Sequence, residues 1–285
     1  MFSALSICLT FVRRFIFACI FPQLVIYRLK IQFFTVANMM YLFDLQYQLQ
    51  KGMYFTDKIT THSYNIYYSK NISEKYWNYA VVSDLCPLRS VLSELKQHFS
   101  RIGRPVHIQL SVTDGENLNE LQNNRFKVNC TDTWMRYEGG AHKASFTARR
   151  VEDKTDQENY IKVFSEYFRS PNPYMAKISP EILSGLRRSF DNNNLTHFIS
   201  YDGKHPAAVA TVGCFDNYAL LFNVAVASGY AETEHPAAII NACTEYCRQS
   251  GCVSLNVNLL SSCRLERWYE HNGFKRIGAG CRMIL

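Results

Sequence analysis

A chain of 285 residues is long for one ordinary domain and comfortable for two of about 130 each. Its 47% hydrophobic and 19% charged residues exclude a disordered chain. The formal charge of +7 is not a nucleic-acid footprint: Arg13, Arg14, Arg28 and Lys30 precede the first acid, Asp44, and no dense Lys/Arg stripe interleaved with aromatics follows.

The ten cysteines are scattered, with Cys243 and Cys247 one helical turn apart in an apolar context. No Cys-x-x-Cys pair and no histidine pair at ligand spacing occurs. The expectation is free thiols in a reducing compartment and no metal. Two apolar runs, residues 2–12 and 15–27, are split by Arg13-Arg14, and both fall short of the roughly 18–20 residues that span a bilayer. No basic stretch precedes an apolar core, as a secretory signal requires. Residues 1–39 are therefore expected to be an apolar segment that does not cross a membrane, or a start assigned too far upstream, with Met39 or Met40 first.

Residues 64–68 and 79–82 are aromatic and β-branched and suit strands. Val91, Leu92, Leu95 and Phe99 recur at helical spacing after Pro87, and Gly103-Arg104-Pro105 stops that helix. Residues 106–112 alternate as a strand, Leu118 and Leu121 mark a short helix, and 126–137 form a further strand. The segment 138–143, with Gly139-Gly140, is the linker candidate. It divides the chain into expected domains at 40–140 and 144–285.

Beyond it, a strand is expected at 144–151 and a helix at 156–168, with Tyr160, Ile161 and Phe164 on one face. Ser170-Pro171-Asn172-Pro173 breaks the chain, and Ser179 (N-cap) with Pro180 starts the next helix. Strands at 196–201, 207–215 and 218–226 follow, with hairpin signals at Asp202-Gly203 and Asp216-Asn217. Helix 236–248, strand 253–257, helix 262–271 and strand 274–284 complete the order.

This order ends in the run Trp268-Tyr269-Glu270-His271-Asn272-Gly273-Phe274, where a helix closes on a tyrosine and turns through Asn-Gly into an aromatic-led strand. In layout and in that tyrosine it resembles the acyl-CoA-dependent N-acetyltransferases called GNAT. Leu121-Gln122-Asn123-Asn124-Arg125-Phe126-Lys127 runs parallel to Tyr269 through Lys275. The resemblance therefore extends to tandem members, with a degenerate first copy in which Leu121 stands where the tyrosine would. The fold class it implies is α/β: two tandem GNAT-like domains, each a mixed central sheet flanked by helices.

The resemblance implies a cytoplasmic N-acyltransferase with acetyl-CoA as co-substrate and a small-molecule or peptide amine as acceptor, by direct attack in a ternary complex. Such a transfer requires that the amine lose a proton, that the carbonyl oxygen meet hydrogen-bond donors, and that the departing thiolate regain a proton. By the resemblance, the backbone of Val224, Ala225 and Val226 faces the thioester and the Tyr269 hydroxyl meets the sulfur. Ser262, seven residues before the tyrosine, fills a slot in which the family often has a cofactor-touching asparagine. The family's pyrophosphate pattern, Arg/Gln-x-x-Gly-x-Gly/Ala, falls on Ala231, Glu232, Thr233, Glu234, His235 and Pro236. Here the chain departs from it: the glutamates satisfy the helix dipole themselves and repel a diphosphate, and Pro236 removes an amide. Asp216, Glu232 and His197 are general-base candidates by type. The alternative reading is a non-catalytic GNAT-fold ligand-binding or interaction protein that has lost the loop.

Overall fold

A computed structural model describes residues 40–83, 86–111, 114–140, 144–169, 178–260 and 263–285. The apolar segment before residue 40, the 170–173 break and Ser262 lie outside the described residues. Leu42–Leu285 is one compact unit.

Leu42, Leu45 and Leu49 recur at helical spacing and are buried on a helix over residues 42–50 (α1). Then come β1 (Asp57–Thr60), β2 (Tyr64–Tyr68), β3 (Tyr79–Val82), α2 (Leu88–Arg101), β4 (His107–Ser111), α3 (Gly115–Asn123) and β5 (Lys127–Tyr137). Helix α2 buries Val91, Leu92, Leu95 and Phe99, as the spacing predicts. Its N-terminus is capped from outside: the Leu88 amide donates to Asn117 Oδ1 of α3 at 2.8 Å.

The second half runs β6 (Ala148–Arg150), α4 (Lys154–Arg169), α5 (Pro180–Ser189), β7 (Leu195–Asp202), β8 (His205–Phe215), β9 (Tyr218–Val226), α6 (His235–Gln249), β10 (Ser254–Leu260), α7 (Cys263–His271) and β11 (Phe274–Ile284). Ser179 caps α5 as predicted, its hydroxyl accepting from the Ile182 amide at 3.4 Å. Asp216 and Asn217 both take left-handed φ, 47° and 64°, as a type I′ hairpin demands.

The order β1-β2-β3-α2-β4-α3-β5 recurs as β7-β8-β9-α6-β10-α7-β11. The repetition extends to single hydrogen bonds. The Asn124 amide reaches the carbonyls of Glu120 and Leu121, and the Asn272 amide those of Trp268 and Tyr269. Asn124 Nδ2 donates to the Glu120 carbonyl at 2.9 Å, and Asn272 Nδ2 to the Trp268 carbonyl at 2.8 Å. The next residue is left-handed in both copies, Arg125 at φ 67° and Gly273 at φ 81°. Gly273 also has no room for a side chain, because a Cβ there would run into the Gly139 carbonyl oxygen. The predicted linker is thus held against this turn, with the Glu138 amide donating to the Gly273 carbonyl at 2.9 Å.

The two halves form one sheet in the order β1-β2-β3-β4-β11-β5-β10-β9-β8-β7-β6. Its neighbours are antiparallel except β3 with β4 and β9 with β10. The last strand of each half crosses into the other: β5 lies against β10, and β11 against β4. The packing follows the crossing. Cys281 and Met283 of β11 belong to the first half's core, and Met135 of β5 to the second's. Four strands are tied at the seam by a buried polar row. Gln109 Nε2 (β4) donates to Asp132 Oδ1 (β5) at 3.0 Å, and Arg282 Nε (β11) to Gln109 Oε1 at 3.0 Å. Asn258 Nδ2 (β10) donates to Asp132 Oδ2 at 3.3 Å.

Candidate functional site

The apolar run from Leu220 to Val226 makes β9 a central strand. It pairs in parallel with β10 through Ser254↔Tyr218, Leu255↔Ala219, Asn256↔Leu220 and Val257↔Leu221. Pairing stops there, although β9 continues to Val226 and β10 to Leu260. The two strands therefore part in the middle of the sheet, and the backbone groups of β9 beyond Leu221 lose their partner on that side.

Just past the parting point β9 is bulged. Thr211 of β8 pairs with Phe222 but Val209 pairs with Ala225, so two residues of β9 oppose one of β8. Asn223 sits in the bulge at φ 53°. Asparagine tolerates this region better than its β-branched neighbours would. Val224 and Val226 are half-buried and Ala225 is buried.

Tyr269 stands in the last turn of α7. Its ring is edge-on to Trp268 at 4.9 Å and to Phe274 at 5.1 Å. It is 2% exposed and shares a packed cluster with Leu221, Val257 and Leu259, which flank the parting of the strands. Burial pushes its pKa well above that of a free tyrosine, reinforced by the neighbouring Tyr167 and Cys243. The hydroxyl therefore keeps its proton at neutral pH.

The predicted pyrophosphate residues Ala231, Glu232, Thr233 and Glu234 form an exposed loop that leads into α6. Glu234 neither caps that helix with its side chain nor lies idle: its carboxylate accepts from the Ser145 amide at 2.6 Å. That bond holds its pKa below the usual carboxylate value. Next to it the Phe146 ring stacks on His235 at 4.0 Å, and His235 Nδ1 meets Ser200 Oγ at 2.6 Å. The start of α6 is thus held by the chain's own residues 145–146.

The three candidate bases do not gather at the parting strands. Asp216 occupies the β8–β9 hairpin turn, at the far end of β9 from the bulge. Glu232 lies in the exposed loop. His197 is buried, with Nε2 3.1 Å from the Ser189 carbonyl and Nδ1 2.8 Å from Thr211 Oγ1. A carbonyl only accepts, so Nε2 carries the proton and Nδ1 accepts from the Thr211 hydroxyl. Both nitrogens are committed and none is left to take a proton from an amine.

Burial lowers the His197 pKa from 6.5 to about 4. Between those values the unfolded chain binds a proton that the folded chain refuses, so stability falls as pH drops through the window and is complete above it. At about 1.4 kcal/mol per unit the loss is on the order of 3 kcal/mol. Urea midpoints measured from pH 7 to pH 4.5 should fall more steeply for the wild type than for His197→Gln; parallel curves would reject the assignment.

Sequence reasoning missed the residues around the bulge: Tyr54, Tyr160 and Thr211. The visible signal was Asn223, a polar residue breaking an apolar central strand. The described cysteines are free, with Cys243, Cys247 and Cys281 buried. No helix among the described residues is long and apolar enough to cross a membrane.

No protein-family model matches the chain, and no curated protein does. Solved structures do. A functionally unknown conserved protein from Staphylococcus epidermidis matches 80% of this chain and 93% of its own, with 12% identity and a TM-score of 0.61. A GCN5-related N-acetyltransferase from Kribbella flavida matches 84% and 93%, with 11% identity and a TM-score of 0.59. A tandem GNAT protein from the clavulanic acid biosynthesis pathway matches 78% and 78%, with 10% identity and a TM-score of 0.52. At these identities the likeness is one of fold, and it extends over both halves.

Proposed function

For a chain that carries the GNAT fold in tandem, we propose an N-acyltransferase that moves an acetyl group from acetyl-CoA to an amine, with its site in the second half. The observation that carries this reading is the parting of β9 and β10 beside a bulge, with Tyr269 packed in the cluster that flanks it. Parted strands leave backbone amides to receive a thioester carbonyl, as a preorganised donor pair would. The thioester end of the co-substrate fits Val224, Ala225 and Val226. The diphosphate end would rest on the loop at Ala231 to Glu234, where donors are few.

In this reading the β9 amides stabilise negative charge on the carbonyl oxygen as the amine nitrogen attacks the acyl carbon. The carbon–sulfur bond then breaks, and the proton lost by the amine ends on the sulfur. Tyr269 donates a hydrogen bond to the developing thiolate. Its raised pKa makes it a poorer acid than a free tyrosine, so its contribution is charge stabilisation at the sulfur more than full proton release. In the first half Leu121 occupies the matching position and offers no hydroxyl.

A second reading rests on the Glu234–Ser145 bond and the Phe146–His235 stack: a GNAT-fold binding protein whose phosphate site is held closed by its own chain. Thermal unfolding with acetyl-CoA separates the two. At a ligand concentration 100 times its dissociation constant, binding stabilises by about 2.7 kcal/mol, which for a unit of this size raises the melting temperature by roughly 5–10 °C. No shift at millimolar acetyl-CoA favours the second reading.

A further inference from the structure

We propose that Tyr54, from the first half of the chain, is a positioning residue for acyl transfer in the second half, acting through Asn223 on the backbone of the β9 bulge. The proposal rests on the acyl-transfer reading above and assigns the first half a part in it.

Tyr54 lies 169 residues from Asn223, and its hydroxyl donates to Asn223 Oδ1 at 3.0 Å. It is fully buried and its ring stacks on Trp77 at 4.3 Å. The backbone that delivers it is a tight turn. The amides of Met53, Tyr54 and Phe55 all reach the Gln50 carbonyl, and Gly52 takes φ 79°. Helix α5 grips the same turn: Arg188 Nε donates to the Gly52 carbonyl at 3.1 Å, and a Cβ on Gly185 would strike the Met53 carbonyl. Tyr54 therefore has little freedom to follow Asn223; it holds Asn223 in place.

The other side of the bulge is held by longer contacts. Asn223 Nδ2 is 3.5 Å from Thr211 Oγ1, and Tyr160 lies with its hydroxyl 2.7 Å from Thr211 Oγ1 and 3.4 Å from the Asn223 carbonyl. Since the Thr211 hydroxyl donates to His197, it accepts from Tyr160 and Asn223. Asn223 is thus clamped between a phenol of the first half and a hydroxyl relay of the second. Its left-handed φ lies in the two-residue bulge, after which pairing with β8 resumes at Ala225, so it sets where the amides of 224–226 point, and those amides are the ones that would meet the carbonyl oxygen. A bulge that wavers by even 1 Å would misalign them, a scale of error that can cost about 10²-fold in rate.

Tyr54→Phe keeps the stacked ring and removes only the bond to Asn223. Asn223→Gly keeps the left-handed backbone and removes the clamp. Tyr54→Phe is expected to lower kcat about 10- to 100-fold, with KM for acetyl-CoA and melting temperature nearly unchanged. In the Asn223→Gly background the Tyr54→Phe change should then have almost no further effect, because both act through one bond. Wild-type turnover in Tyr54→Phe, or effects that multiply in the double variant, would overturn the proposal. Amide hydrogen exchange at Val224 and Ala225 gives a readout that needs no activity, and it should quicken in Tyr54→Phe. Quickened exchange in a protein that acetylates no amine keeps the clamp and removes the acyl-transfer reading; unchanged exchange removes the clamp whatever the activity.

Discussion

Tyr269→Phe is expected to reduce acetyl transfer about 10²–10³-fold while acetyl-CoA affinity and melting temperature stay nearly constant. The substitution preserves the ring contacts with Trp268 and Phe274 and removes one oxygen. Because burial keeps that hydroxyl protonated far above neutral pH, its loss should lower the whole pH–rate profile without moving its limbs. A residue that served packing alone would lose at most about 1 kcal/mol of stability on losing its hydroxyl and leave turnover intact. Thiol release measured with acetyl-CoA and a panel of amines decides between them: wild-type rates in the variant reject the role given to Tyr269.

Arg282→Met is expected to cost about 3–5 kcal/mol of folding stability, the largest loss from any single change at the seam. Arg282 NH2 lies 3.8 Å from Asp132 Oδ2, and both side chains are buried. The guanidinium also sits over the Tyr79 ring at 4.3 Å. Burial already pushes the Asp132 pKa up, opposed chiefly by Arg282, so removing the cation leaves a carboxylate with too few partners. The deficit should shrink as pH falls, since a folded Asp132 with a raised pKa takes up its proton before the unfolded chain does. Asp132→Asn combined with Arg282→Met should lose less than Arg282→Met alone. Urea unfolding at pH 7 and pH 5 tests all three statements; a loss below about 1 kcal/mol at pH 7 contradicts the account.

The elements of both halves were legible because most bury one face. The spacing in α2 and the alternation in β4 needed no tertiary knowledge. β1 was missed because Asp57-Lys58-Ile59-Thr60 is a charged edge strand with no fully buried residue and no alternation. Helix α1 was missed because its apolar spacing merges with the apolar residues before it. The predicted strand at 144–151 shrank to Ala148–Arg150, since Ser145 and Phe146 turn away to meet Glu234 and His235. The matched turns at Leu121 and Tyr269 were readable as a repeat.

What the repeat could not disclose was the exchange of β5 and β11. Periodicity identifies a strand and its buried face but not the strand beside it. For the candidate site, the tyrosine and the central strand were readable by position, whereas the bulge depends on one left-handed residue. His197 was a base candidate by residue type alone, and residue type says nothing of burial. Its two committed nitrogens come from Ser189 and Thr211, which only the fold brings near.

The crossing of β11 also sets a timetable for synthesis. Strand β4 is finished early, but the partner on its open side, β11, is made only after β5 to β10. The intervening sequence takes on the order of ten seconds to translate at usual elongation speeds, and through that interval the open edges of β4 and β5 can recruit strands from other nascent chains. A message cut short anywhere before residues 274–284 yields no smaller working unit but an open template for aggregation. Quality control in the cell would therefore act on this chain chiefly before β11 has emerged.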